Sequence, residues 1–142
     1  MARHFQDFLT AYNEYASDQF SPEKFNTWSA LSIIAGALER KVWLPWTDNY
    51  SFYPNLYVLL VSLPGARKSV SLGKAVGLLQ ELNLRTSSLN ILPNQATEAK
   101  FIELVANGKP FTYGTKTIFQ NAAYYYASEA SNSLRNIFGD FI

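Results

Sequence analysis

The stretch LYVLLVSLPGARKSV, residues 56–70, most strongly constrains the fold of this chain. Its first six residues are continuously apolar, which is typical of a strand that is covered on both faces of a sheet. From Lys68 onward, apolar residues recur at three- and four-residue spacing, which predicts a helix over residues 68–84. We therefore expect residues 56–61 to form a central strand, followed at once by a turn and a helix, in an α/β fold.

The turn between this strand and helix has the composition of a phosphate-binding loop. In such loops backbone N–H groups and the positive end of the helix dipole face an anion. A lysine neutralises the outer phosphates, and the following hydroxyl residue holds Mg²⁺. The candidate residues that bind the nucleotide are Pro64, Gly65, Ala66, Arg67, Lys68 and Ser69, with Ser69 as the Mg²⁺ ligand.

Two positions of this loop depart from the pattern G-x-x-x-x-G-K-[ST]. When Lys68 is aligned with the motif lysine, Ser62 and Arg67 occupy the two glycine positions, where a positive φ or close backbone approach is expected. Gly65 supplies conformational freedom inside the loop. The alternative is a strand-to-helix connection whose helix begins with ordinary basic residues.

An acid farther along the chain is a candidate for catalysis. The apolar stretch AAYYYA, residues 122–127, predicts a second buried strand, and Glu129 follows its end. P-loop enzymes place an acid at the end of a neighbouring strand, where it polarises the attacking water or holds the metal shell. Glu129 is therefore a candidate catalytic residue and a water-mediated Mg²⁺ contact; alternatively it is a surface acid that caps the next helix.

The rest of the chain divides into recognisable elements. Two helices are predicted at the N-terminus, the second beginning at Ser21-Pro22-Glu23 with the serine hydroxyl as its cap. A hairpin is predicted over residues 42–53, a short strand over 89–92, a helix capped by Thr97, a strand or hairpin over 111–119, and a last helix from about Ser131. This order gives a helical segment over residues 1–41 and a sheet-containing core over 42–142 that pack as one unit.

Composition limits the classes of partner. The 12 basic and 11 acidic residues leave a formal charge of +1, so nucleic-acid binding would need a local site. The chain has no cysteine and a single histidine, His4, which nearly excludes thiolate and histidine metal sites. The longest uncharged apolar run is too short to span a bilayer, so a soluble protein of the cytoplasm, without membrane contact, is expected.

The three tryptophans allow two interpretations. Trp28, Trp43 and Trp46 lie near Arg40 and Lys41, and exposed aromatic rings beside cations can stack on single-stranded bases. The interpretation that the sequence favours is packing, because Trp28 falls on the apolar face of its predicted helix and the others fall in the predicted hairpin.

An ordered series of motifs resembles one known family. WSALSIIAGALERKVWLPW (28–46) is similar to its W-x-A-L-S-x-x-A-G stretch with the following L-P-W, and YPNLYVLLVSLPGARKS (53–69) to its phosphate loop. ILPNQATEAKFIELV (91–105) and YYYASEASNSL (124–134) resemble its next strand and helix and its acid-bearing strand. The family is that of the P-loop ATPases of phages and integrated mobile elements that act as replicative helicases, often joined to a primase. Arginine before the motif lysine is usual there, whereas Ser62 departs from its glycine.

The resemblance implies N-terminal helices joined to part of a RecA/AAA-like P-loop NTPase parallel sheet. It implies ATP and Mg²⁺ as cofactors, and, in a complete protein, DNA, a homo-oligomeric ring, a primase and a bacterial host cytoplasm. Such an ATPase core continues beyond the acid-bearing strand, so we expect this chain to be truncated and to turn over little or no ATP alone. The alternatives are a non-catalytic interaction or scaffold module with a degenerate loop and, more weakly, a small kinase.

Overall fold

The computed structural model describes residues 7–87, 89–92 and 97–127. Within these ranges the chain forms four α-helices and three two-stranded sheets. The α-helices and strands in chain order are α1 (Phe8–Ala16), α2 (Glu23–Leu38), β1 (Leu44–Thr47), β2 (Tyr50–Phe52), α3 (Lys68–Thr86), β3 (Ile91–Leu92), α4 (Glu98–Asn107), β4 (Lys109–Tyr113), β5 (Lys116–Gln120) and β6 (Tyr124–Tyr125), and a 3₁₀ helix (Ser17–Gln19) follows α1. The fold is therefore mixed helix and sheet, and the last predicted helix lies outside the described residues.

The core is formed by helices α1, α2 and α3. It contains two alanines with no exposed surface, Ala30 and Ala75, around which larger apolar side chains pack. Because small side chains leave little volume between facing helices, α2 and α3 approach closely. The buried hydrophobic cluster consists of Tyr12, Ala16, Ala30, Ile33, Ala75, Leu79 and Leu89.

Buried hydroxyl groups fix the first turns of α3 against the other two helices. The Oγ atoms of Ser29 in α2 and Ser71 in α3 lie 3.2 Å apart and share a hydrogen bond. The Tyr12 hydroxyl donates to the Ser71 carbonyl oxygen at 3.5 Å, and burial raises the pKa of Tyr12 to about 12. The N-terminus of α3, where the candidate loop ends, is thus held in place from α1 and α2.

Local sequence signals explain several element boundaries. Asp7 caps α1, its carboxylate accepting from the Thr10 N–H at 2.8 Å, and this hydrogen bond lowers the pKa of Asp7. Thr97 caps α4 as predicted, accepting from the Lys100 N–H at 3.3 Å. The prediction that Ser21 caps α2 is wrong: Pro22 holds the cap position without a side-chain bond, and the Ser21 hydroxyl donates to the Arg67 carbonyl oxygen at 3.2 Å.

A short parallel pair joins the second half of the chain to α2. Strands β3 and β6 pair in parallel with Ile91 opposite Tyr124, and the Tyr124 N–H donates to the Asn90 carbonyl oxygen at 2.8 Å. The Tyr124 hydroxyl lies 3.0 Å from Ser32 Oγ on α2. Gly36 makes this docking possible, since a Cβ there would lie 2.5 Å from a ring carbon of Tyr124. The predicted strand over 122–127 is therefore present, but it is two residues long and half-buried.

The predicted hairpin over residues 42–53 is confirmed, and of the two alternatives for residues 111–119 the structure has the hairpin. Strands β1 and β2 pair antiparallel around Asp48-Asn49, with an irregularity between Pro45 and Thr47. Strands β4 and β5 pair antiparallel over five residues each, joined at Gly114, whose φ of +60° suits a tight turn.

None of the described helices combines the length and the apolar character that crossing a membrane requires.

The prediction of a central strand over residues 56–61 is wrong for the described structure. These residues form no strand, and alternate side chains point to solvent: Tyr57 is 99% exposed, Leu59 72% and Val61 75%. A strand needs a neighbour to satisfy its backbone groups, and the described strands pair with one another instead. The apolar composition of residues 56–61 suits a buried strand, but composition does not determine whether another strand pairs with it.

Candidate functional site

The candidate site is the turn that joins residues 56–63 to helix α3. Pro64 and Gly65 form the turn, and Gly65 takes a φ of +86°, the left-handed region that type II turns require after proline. Arg67 also lies in this region, with a φ of +55°. The motif has glycine at this position, and glycine readily adopts a positive φ. Arg67 adopts a positive φ in its place.

Arg67 faces away from the turn, toward the segment between α1 and α2. Its Nη1 donates to the Gln19 carbonyl oxygen at 3.0 Å, and its guanidinium lies 5.4 Å from the centre of the Phe20 ring. Its own carbonyl oxygen accepts from the Ser21 hydroxyl. The backbone of Arg67 is therefore part of the loop, and its side chain anchors the loop to the segment between α1 and α2.

A second anchor lies two turns into α3. Lys74 forms an ion pair with Asp18 at 2.8 Å, and its ammonium lies 4.0 Å from the centre of the Tyr15 ring. The hydrogen bond from Lys74 lowers the pKa of the Asp18 carboxyl. Neither this pair nor the Arg67 anchor follows from local sequence patterns, because each joins residues more than 45 positions apart.

The N-terminus of α3 is suited to an anion. Within the described ranges no side chain caps the first turn of this helix, and the turn itself contains no acidic residue. The partial positive charge of the first backbone N–H groups is therefore not neutralised locally. Lys68 is the first residue of the helix, and Ser69 follows it as an exposed residue, so a cation and a hydroxyl lie beside these N–H groups.

The Lys68 side chain folds back across the turn. Its Nζ donates to the Ser62 carbonyl oxygen at 2.8 Å and to Ser62 Oγ at 3.0 Å. Residues 62 and 68 are the first and the last but one of the predicted eight-residue motif, so this contact closes the loop. The sequence marks Ser62 as a departure from the motif, but nothing in the sequence identifies it as the partner of Lys68.

The predicted site residues thus divide into two sets. The structure brings together Pro64, Gly65, Ala66, Arg67, Lys68 and Ser69 in one turn at the start of α3. Glu129 lies outside the described residues. Among those described, no group of three or more histidine, aspartate or glutamate side chains is arranged to hold a metal ion. A nucleotide-bound Mg²⁺ needs few protein ligands, because phosphate oxygens and water fill most positions, so the Ser69 hydroxyl fits this role.

A cavity lies at the other end of α3. It has a volume of about 600 Å³ and is lined by Gln80, Asn83, Ser87, Lys109 and Tyr126, among others. Its cation, Lys109, already donates to the carbonyl oxygens of Leu89 and Ser87. Cavity size alone would favour this place for a ligand. The turn at α3 is nevertheless the better phosphate site, since it combines a lysine, a hydroxyl and a helix N-terminus.

The tryptophans are more exposed than the sequence indicates. Trp28 is 48% exposed, so the prediction that it belongs to the core is wrong; α2 buries a narrower face than its apolar composition suggests. Trp46 is 69% exposed and packs edge-on against Phe52 within the first hairpin, 5.7 Å between ring centres, as predicted for hairpin packing.

The backbone strain at Arg67 yields a stability prediction. Arg67→Ala removes the Gln19 hydrogen bond and the Phe20 contact while keeping a side chain at positive φ, and should lower the free energy of unfolding by about 1–2 kcal/mol. Arg67→Gly loses the same contacts but relieves the strain, so it should be more stable than the alanine variant by about 1 kcal/mol. Chemical denaturation of both variants measures this difference. A glycine variant less stable than the alanine variant would contradict the positive φ.

Comparison of the chain with models of known protein families, with curated proteins and with solved structures finds no match. The assignment of a function therefore depends on the chemistry of the loop and on the motifs in the sequence.

Proposed function

We propose that the turn at the start of α3 is a nucleotide-binding loop and that the chain is the ATPase module of a replicative DNA helicase of a phage or mobile element. The observation that carries the proposal is the position of Lys68 and Ser69. They begin a 19-residue helix that no side chain of the described residues caps, and Gly65 and Arg67, in the turn before it, both have positive φ. Phosphate loops need this combination of a bent backbone, free N–H groups and a lysine.

Each loop residue has a role in this proposal. The backbone of Pro64, Gly65, Ala66 and Arg67 would surround the phosphates, and Lys68 would neutralise the β and γ phosphates of ATP. The Ser69 hydroxyl would contribute one ligand to Mg²⁺. Glu129, by its place after the AAYYYA stretch, is proposed to orient the attacking water and to contact Mg²⁺ through water.

The helicase part of the proposal comes from the motifs in the sequence. The stretches that begin at Trp28, Tyr53, Ile91 and Tyr124 occur in the order that the phage and mobile-element ATPases have. On this basis we propose a RecA/AAA-like core, a ring of identical subunits, DNA and a primase as partners, and the cytoplasm of a bacterial host as location. We expect little or no hydrolysis by the isolated chain, because in such rings a neighbouring subunit supplies an arginine.

A non-catalytic interaction module is the second candidate. It is favoured by the exposed apolar side chains of Tyr57, Leu59, Val61 and Leu63, which are typical of a surface that a partner covers. The engagement of Lys68 by Ser62 also fits a loop that no longer holds a nucleotide. The two candidates differ in one measurable property, the binding of nucleotide phosphates.

Titration calorimetry with Mg-ATP, Mg-ADP and AMP tests the proposed function. We expect saturable binding of ATP and ADP and binding of AMP at least about tenfold weaker, because the loop contacts the outer phosphates, and one charge-assisted contact of about 1.5–3 kcal/mol gives that ratio or more. Equal binding of all three nucleotides would place recognition at the base or ribose. Absence of binding at millimolar Mg-ATP would leave the interaction module as the function.

A further inference from the structure

Ser62 provides two hydrogen-bond acceptors to the site lysine. Lys68 Nζ contacts both the carbonyl oxygen of Ser62, at 2.8 Å, and its Oγ, at 3.0 Å. The same hydroxyl donates to the Leu63 carbonyl oxygen at 3.1 Å, which orients a lone pair toward the ammonium. Both Ser62 and Lys68 are half-buried, so water competes less for these bonds than at an exposed position.

The hydroxyl adds a restraint that glycine cannot supply. An ammonium has three donors, and two of those of Lys68 point at Ser62. A phosphate that binds at the start of α3 must draw this ammonium toward itself and compete with both acceptors. The carbonyl oxygen would be present with any residue at position 62, whereas the Oγ is specific to serine or threonine.

We propose that the Ser62 hydroxyl is a positioning group that holds Lys68 across the free loop and thereby lowers its affinity for nucleotide phosphates. The inference rests on the proposed function and deepens it, since it names the residue that sets the affinity of the same site. Ser62 acts through Lys68 and touches no reacting atom.

The test compares wild type, Ser62→Ala, Lys68→Ala and the double variant by titration with Mg-ATP. Alanine at position 62 removes only the hydroxyl, so ATP should bind about three- to tenfold more tightly, the range expected for loss of one competing hydrogen bond. In the Lys68→Ala background the same substitution should change the affinity less than about twofold, because the competition requires the ammonium.

A second readout separates positioning from a merely structural role. Without nucleotide, Ser62→Ala should melt at a lower temperature than wild type, because two hydrogen bonds of the free loop are lost. A structural role would weaken ATP binding together with stability, whereas a positioning role lowers stability and tightens binding. Unchanged or weaker ATP binding by Ser62→Ala would overturn the inference.

The outcomes distinguish this inference from the proposed function. If wild type binds Mg-ATP and Ser62→Ala binds it equally, the inference fails and the nucleotide loop stands. If neither protein binds Mg-ATP at millimolar concentration, the proposed function itself fails.

Discussion

Replacing Leu79 with alanine should lower the free energy of unfolding by about 2–4 kcal/mol, as is usual for a fully buried leucine. Leu79 is 2% exposed and belongs to the cluster that includes Tyr12, Ile33 and Ala75, where α3 meets the other helices. The substitution removes the apolar area that the leucine buries and leaves a cavity between the helices. Urea denaturation monitored by circular dichroism measures the change, with the slope of the transition as a check on two-state unfolding.

Leu59→Ala is the matched control for this prediction. It removes the same atoms from a leucine that is 72% exposed, and should cost no more than about 0.5 kcal/mol. The pair also tests the difference between sequence pattern and structure, since the sequence predicts that Leu59 is buried in a central strand. Equal losses in the two variants would show that residues 56–61 are buried and would contradict the described structure there.

Replacing Lys68 with alanine should weaken Mg-ATP binding by about 10- to 100-fold, which corresponds to roughly 1.5–3 kcal/mol for a lost charge-assisted contact. Lys68 begins α3 beside the backbone N–H groups of its first turn, so its ammonium and these groups would act on the same phosphates. Competition between ATP and a fluorescent nucleotide measures the affinity of wild type and variant. Because the side chain also bonds to Ser62, circular dichroism must show that the variant keeps its helices.

Lys100→Ala provides the control for charge. Lys100 lies on α4 in an exposed pair with Glu103, and its removal changes the net charge of the chain by the same amount. We expect less than a twofold change in ATP affinity for this variant. A comparable loss in both variants would indicate a general electrostatic attraction of the nucleotide and would contradict a specific role for Lys68.

Local signals in the sequence were sufficient for much of the fold. The apolar spacing after Lys68 predicts a helix to residue 84, and α3 runs from Lys68 to Thr86. Thr97 caps α4 and Gly108 ends it with a φ of +55°, both as the residue types indicate. These features depend on contacts between residues a few positions apart, and such contacts are encoded in short stretches of sequence.

Long-range contacts account for what the sequence did not predict. The apolar run at residues 56–61 predicts a buried strand, but burial depends on a partner strand that its own composition does not specify. Ser21 has the character of a helix cap, yet its hydroxyl bonds to Arg67, which is 46 positions away. Trp28 falls on an apolar helix face that the structure leaves half exposed.

The candidate site was predicted in part. The six residues from Pro64 to Ser69 follow from the motif, and the positive φ at Arg67 agrees with the glycine that the general phosphate-loop pattern has at this position. The bond from Lys68 to Ser62 and the anchoring of Arg67 by Gln19 were not predicted, because motif patterns describe the bound ligand rather than the contacts of the free loop. One hint of these contacts is present in the sequence, which is that serine stands at position 62 where the motif has glycine.

Thermal unfolding of the wild-type chain with Mg-ATP, compared with Mg²⁺ and AMP, tests the nucleotide loop most directly. A ligand at ten times its dissociation constant stabilises the folded state by about 1.4 kcal/mol, which should raise the melting temperature by about 3–6 °C. We predict a rise of this size with Mg-ATP and little change with AMP. An unchanged melting temperature at millimolar Mg-ATP would contradict the assignment of residues 64–69 as a nucleotide-binding loop.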